Sequence, residues 1–429
     1  MRSLTTTFFI ISFFLCAPFA LRATDAAPSN DPNDYEGSDS ERIALAVQAA
    51  PHRGGVVRIP PRKPDAISDR TYWLLDTAIL LPSDTTLILE DCDLKLSDAC
   101  RDNFIRTANC GLGIEKVEPI QNVHIVGIGS PTLIGADHPR ATGDGAKGLG
   151  VRSYGTDAGK EGESQTGDWR NIGVLLANVK NFSIENVTIR QAHCWSVSLE
   201  KCSFGRVRNI TFDSTETREI DGQEVKVLNV DGLDLRKGCH DISVENIFGR
   251  TGDDVVALTA IRDVDKVGGV LGSTEVSDFS CEDDNDVYNV SVRNVVGHAA
   301  GGHQIVRVLN ASGIKIYRVT IDGVIDTSPE GVVDRATIRI GDSNPAWGGV
   351  TPLGDTNGLI VTNVQSQSRH AVLIAGSLTN SIISNVVNYN PEVSGVSFES
   401  GVENVKNVTI KNFVNATAPK SEKIDANGK

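Results

Sequence analysis

The stretch 181-NFSIENVTI-189 has a counterpart in 204-FGRVRNITF-212. The pattern returns as 241-DISVENIFG-249, 289-NVSVRNVVG-297, 313-GIKIYRVTI-321, 358-GLIVTNVQS-366, 380-NSIISNVVN-388 and 407-NVTIKNFVN-415. A weaker copy stands earlier, 122-NVHIVGIGS-130. The fourth position is Ile or Val, and the sixth is Asn in seven of the eight, Arg318 being the exception. Successive starts differ by 23, 37, 48, 24, 45, 22 and 27 residues.

A base period near 23 residues with occasional long insertions is the signature of a solenoid whose coils grow loops. Each unit is two β-rich runs joined at an Asn. Asn tolerates a left-handed bend, and its amide can bond to the matching Asn one coil away. Helical periodicity is almost absent after residue 52. The expected fold is all-β: a single right-handed parallel β-helix over residues 27–429, with coils about 4.8 Å apart. Asn181, Asn186, Asn209, Asn289, Asn310, Asn407 and Asn415 also sit in N-x-S/T sequons. The repeat gives several of them a structural reason to be there, in place of glycosylation.

The ends and insertions read separately. Ser38 with Glu41 three residues on is a capping-box pattern, and Ile43, Val47 and Ala50 give a short apolar face. That helix is expected to cap the open first coil, with 54-GGVVRIPP-61 as the first strand. Residues 136–170 and 262–286 read as long loops. Arg2 followed by the apolar run Phe8 to Leu21 reads as an export signal over residues 1–26, too short to span a bilayer comfortably. Ala20, Ala23 and Ala26 offer cleavage points, and Cys16, preceded by Leu15, does not suit a lipoprotein signal. The expected location is secreted or periplasmic.

The formal net charge of -14 over 429 residues argues against non-specific nucleic-acid binding and against an anionic membrane surface. An anionic substrate is still compatible with a local basic cleft. Seven cysteines follow the signal, an odd number, with Cys92, Cys100, Cys110 and the Cys194/Cys202 pair as candidates for local disulfides. The alternative for them is buried thiols. No spacing suggests zinc.

The segment 229-NVDGLDLRKGCHDISVENIFGRTGDDVVAL-258 places acids at Asp231, Asp234, Asp253 and Asp254 in an apolar setting. Asp231 and Asp253 are 22 residues apart, one period, and are expected to stack on neighbouring coils. Asp253 and Asp254 would point to opposite sides of a straight strand, and Gly252 permits a bend that brings both to one cleft. Crowded carboxylates repel, which raises at least one pKa and sets a protonated acid beside an ionised base. Glycoside hydrolysis needs that pairing. A solvated acidic turn or a calcium site would use the same residues. Asp234 sits within an apolar alternation and reads as structural.

From Asn171 to Gly341 the chain resembles the polygalacturonase family, family 28 of the glycoside hydrolases. NVDGLD resembles its Asn-Thr-Asp-Gly-Ile-Asp segment, TGDDVVAL its Gly-Asp-Asp, GGHQ its Gly-His-Gly and IRIG its Arg-Ile-Lys, in the family's order. The resemblance implies that Asp254 protonates the leaving group and that Asp231 and Asp253 activate water, with inversion. Asn229 would orient the site, His303 would tune the acid or bind sugar, and Arg339 would bind substrate. Gln304 and Trp347 are further candidate sugar contacts, with Trp195 a platform or a core residue. Two departures stand out: Gln304 replaces the second Gly, and Gly341 replaces the Lys. From Asp254 to His303 is 49 residues, about one period more than the resemblance predicts, and His298 is a nearby rival for His303.

The expected activity is an exported, monomeric hydrolase of a pectin-like or related polysaccharide, with no metal or cofactor. Without a Lys at Gly341 the cleft should be short of one positive charge and act weakly on plain polygalacturonate, unless Arg307 supplies it. The rivals are a polysaccharide lyase, with calcium on the Asp cluster and Arg307 or Arg339 as base, and a non-catalytic carbohydrate-binding β-helix.

Overall fold

Ser38 starts the helix Asp39–Ala49 with a complete capping box: its side chain accepts the Glu41 N–H, and the Glu41 carboxylate accepts the Ser38 N–H at 2.8 Å. Ile43, Val47 and Ala50 are buried, and the helix lies against the strands Val56–Ile59, Trp73–Leu75 and Ile79–Leu81. It closes the first coil, where unpaired strand edges would otherwise meet water.

The structure, a computed structural model, describes residues 28–416 apart from 67, 101, 112–113, 115, 139–168, 228, 262–283, 312, 346–348 and 391–394. The export segment, most of both long loops and Trp347 lie outside the described residues. The far end of the first loop is not a surface feature: Trp169–Asn171 forms a buried 3-10 turn.

From Val56 to Asn415 the strands stack into two parallel sheets that form a right-handed parallel β-helix. One sheet has 14 strands, the later ones 11 to 13 residues long; the other has 10 strands of three to seven residues. Within the described residues the hairpin Thr217–Ile220/Gln223–Lys226 is antiparallel. In-register columns fill the interior. Val187, Ile210, Ile247, Val295, Val324 and Val364 are stacked rungs, each buried. Burying each such side chain stabilises the fold by roughly 1.5–3 kcal/mol.

The long strands are bent twice by left-handed residues. Asn186, Asn209, Asn246 and Asn294, the sixth residues of their units, have φ between 53° and 59°. Their amides form a ladder: Asn209 donates to Asn186, Asn246 to Asn209 and Asn294 to Asn246, at 2.7–2.8 Å. A second ladder at the first position was not foreseen. Asn181, Phe204, Asp241, Asn289, Asn380 and Asn407 are also left-handed there, and Asn407 donates to Asn380 and Asn380 to Asn357. The sequon amides in these ladders are thus occupied.

One repeat was misaligned by the sequence. Val290 pairs with Val319 and Val319 with Leu359, so the unit begins at Arg318, not Gly313. Arg318 (φ 54°) fills the first position and Gly323 (φ 75°) the sixth, both left-handed. The apparent exception to the Asn rule was a five-residue slip.

The expected disulfides are absent among the described residues. Cys92, Cys100, Cys110, Cys194, Cys202 and Cys239 are buried thiols. Cys202 and Cys239 lie in the core and donate to the carbonyls of Leu176 and Leu199 at 3.3 and 3.2 Å. Burial pushes the thiols of Cys92, Cys110 and Cys239 up to about 12, so they act as small apolar side chains.

Candidate active site

The site lies on the outer face of the short-strand sheet. In Leu233–Arg236, Val256–Ala260, Gln304–Asn310 and Ala336–Ile340, the alternate residues Leu233, Val256, Val306 and Ile338 point into the core. The alternation therefore sets Asp234, Ala257, Arg307 and Arg339 in one outward row. The other acids sit in the turns just before these strands.

Leu233 pairs with Val256, so the register is 23 residues and Asp231 stands opposite Asp254, one residue beyond the expected partner Asp253. The three acids still converge. The N–H groups of Gly252 and Asp253 both donate to Val230, at 2.9 and 3.1 Å, pinning one turn on the other. Gly252 does its work by close approach: a Cβ there would lie 2.5 Å from the Glu216 nitrogen.

Asp254 is 1% exposed. One oxygen accepts the Gln304 N–H at 3.0 Å and the other faces Arg307 Nη1 at 3.4 Å. Burial, reinforced by Asp253, pushes its carboxyl up to about 6. Burial, then Asp253, also raises Asp231 well above the usual carboxylate range. Asp234, raised by burial, has one oxygen with no hydrogen-bond partner, consistent with a place in the wall of the fold. His303 Nδ1 lies 2.9 Å from Asp253, and that bond raises the imidazole above its ordinary value. His298 is not a rival: it pairs with Arg250 on the other sheet.

Asn229, Asp253, His303, Gln304, Arg307 and Arg339 line a cleft of about 520 Å³. Asp231 and Asp254 stand behind Asp253, both buried. Asp253, Asp254 and His303 offer ligand atoms within 4.8 Å of one another, enough for a cation, but the Arg307 guanidinium beside Asp254 opposes one. Trp195, half-buried beneath Arg236 and packed on the Trp169 cluster, serves as packing.

Of the far wall, the sequence points to Arg307 and Arg339 but not to Arg335, Asp342 or Glu399. Arg307 and Arg339 both bond to the buried Asp342, at 2.9 and 3.1 Å. Glu399 pairs with Arg335 at 2.9 Å and lies 3.8 Å from Arg339. Arg307 had a signal: IVRV and TIRI place an Arg at the same point of successive coils. Asp342 and Glu399 had none, since they come from turns of unrelated sequence.

Gly341 corrects an expectation. Its φ is 74°, and a Cβ would lie 2.6 Å from Gly376 Cα, so no Lys fits there. The cleft is not short of a cation, because Arg307 stands next to Arg339.

Residues 140–313 match the family model described as glycosyl hydrolases family 28. The chain is a glycoside hydrolase. The matched segment of this polygalacturonase-like hydrolase holds Asp231, Asp253, Asp254 and His303, but ends before Arg339. Comparison with curated proteins gives no match. Among solved structures, the hydrolase is similar to a polygalacturonase from Erwinia carotovora, with 15% identity, TM-score 0.56, and 91% of this chain and 96% of that one covered. It is also similar to a hyperthermoactive exopolygalacturonase from Thermotoga maritima, with 14% identity, TM-score 0.52, and 90% of each chain covered. A mannuronan C-5 epimerase module from Azotobacter vinelandii has 12% identity and TM-score 0.52, covering 90% of this chain and 96% of that one. At such identities the likeness is one of fold, and an epimerase shares it with hydrolases.

Proposed function

We propose that the hydrolase cleaves a uronate-bearing, pectin-like polysaccharide, with Asp254 as the general acid, Asp253, which lines the cleft, as the base that activates water, and the buried Asp231 completing the acid cluster behind them. The observation that carries this is the buried Asp254 carboxyl, pushed up to about 6 beside Asp253. A carboxyl at that value holds a proton in mildly acidic solution and can deliver it to a leaving oxygen. Activity should therefore fall as pH rises through about 6, where the acid loses its proton.

The wall supports an anionic sugar. Arg307, Arg335 and Arg339 line one wall, ion-paired with Asp342 and Glu399, and Asp253 lines the same cleft. Three arginines at one cleft suit a carboxylate-bearing sugar, because arginine forks bind carboxylates well. This replaces the expectation of weak action on polygalacturonate, which rested on Gly341. Gln304 and Asn229 line the same cleft, where their amides can meet sugar hydroxyls once a side chain turns toward it.

Inversion comes from the family resemblance. The nearest oxygens of Asp253 and Asp254 are within 4.8 Å, tighter than the roughly 6.5–9.5 Å of most inverting pairs. Proton NMR of the first-formed product is the arbiter, and a retained anomer would sink the assignment. Purified enzyme should be assayed on polygalacturonate, branched pectic fragments and neutral glycans. A neutral glycan as best substrate would overturn the uronate reading. An unsaturated, ultraviolet-absorbing product would make the protein a lyase. Export through residues 1–26 and action as a monomer belong to the same proposal; N-terminal sequencing of exported protein and its solution mass check them.

A further inference from the structure

From the buried Asp254 along the wall of the cleft runs an unbroken alternation of charge: Asp254, Arg307, Asp342, Arg339, Glu399, Arg335. The successive separations are 3.4, 2.9, 3.1, 3.8 and 2.9 Å. Its first links are withdrawn from water. The side chains of Asp254 and Asp342 are 2% and 1% exposed, and that of Arg307 is 15% exposed. Arg307 spans the two acids, one nitrogen on each. A buried Arg between two carboxylates has little rotational freedom, because turning toward one abandons the other.

We propose, building on the reading of Asp254 as the acid, that Arg307 is a positioning residue: held by Asp342, it fixes the Asp254 carboxyl and ties it to the arginine wall. Neither Arg307 nor Asp342 has to touch the reacting atoms for this. Around Asp254 stand Asp253, which opposes its ionisation, the buried Asp231 and Asp234, and Arg307, His303 and the Gln304 N–H, which favour it. Among these, Arg307 is the one full-time cation. It keeps the carboxyl from being driven so high that it could not release its proton, and it selects the rotamer that holds one oxygen on the Gln304 N–H.

The test uses the full chain and a polysaccharide that the wild type cleaves. Arg307→Gln removes the cation but keeps donors. Its kcat should fall roughly tenfold or more, as misplacing a catalytic group does. The fall in kcat/KM at high pH should move to higher pH, because Asp254 without its cation holds its proton longer. Arg307→Lys keeps the charge but cannot fork, so its pH profile should return toward that of the wild type while kcat stays reduced. Asp342→Asn frees Arg307 and Arg339 together, and should lower kcat and raise KM. If Arg307→Gln folds with an unmoved pH profile and near-normal kcat, the inference is wrong. If it is unstable, the unmoved profile of a folded Arg307→Lys with wild-type kcat has the same force. A wild type inactive on every glycan would instead remove the hydrolytic reading on which the inference rests.

Discussion

The two sheets of this β-helix are built to different rules. The 14-stranded sheet carries long strands, bent at the same two places in coil after coil and tied by Asn ladders. The 10-stranded sheet has short strands that repeat only their inward apolar residues, while its outward row reads Asp234, Ala257, Arg307, Arg339. One face repeats because each coil needs the same bend. The other is free to vary, since its strands need only an apolar inner side, and the chemistry lies there. Substitutions on the two faces should therefore fail differently, one in activity and one in stability.

Asp254→Asn should show the largest effect. The change is nearly isosteric, so the fold should persist, while turnover should drop roughly 10²-fold or more with loss of a positioned acid. Circular dichroism with kinetics on one preparation checks both halves, and near-wild-type turnover would take Asp254 out of the mechanism.

Gly341→Ala comes next and blurs the contrast, since Gly341 adjoins the site yet is needed by the backbone. A left-handed φ of 74° and a Cβ 2.6 Å from Gly376 Cα should cost on the order of 2 kcal/mol or more. Urea unfolding measures this, and an unchanged midpoint would show that the turn can relax.

Asn246→Ala should have the smallest effect. Asn246 donates to Asn209, accepts from Asn294 and holds φ 59°. Losing the bonds and forcing Ala into that conformation should cost about 1–2 kcal/mol. Its kcat should stay at the wild-type value, because the residue lies on the sheet away from the cleft. A drop in kcat at full stability would break the division between the faces.

The sequence by itself determined the β-helix, its period, the capping helix and the convergence of Asp231, Asp253 and Asp254, with His303 added only by the family resemblance. Each depends on near neighbours: Ser38 with Glu41, an Asn at each bend, acids one period apart. Only the tertiary structure decided the register of the Arg318 unit, the reason for Gly341, the thiol state of the cysteines and the meeting of Arg307 with Asp342 and Glu399. The reason is physical. Insertions make the coils unequal, with paired residues 37 apart at one rung, 48 at the next and 29 at the one after. Linear spacing then no longer says which turn lies over which. A carboxylate finds its arginine only when the stacked coils fix that alignment.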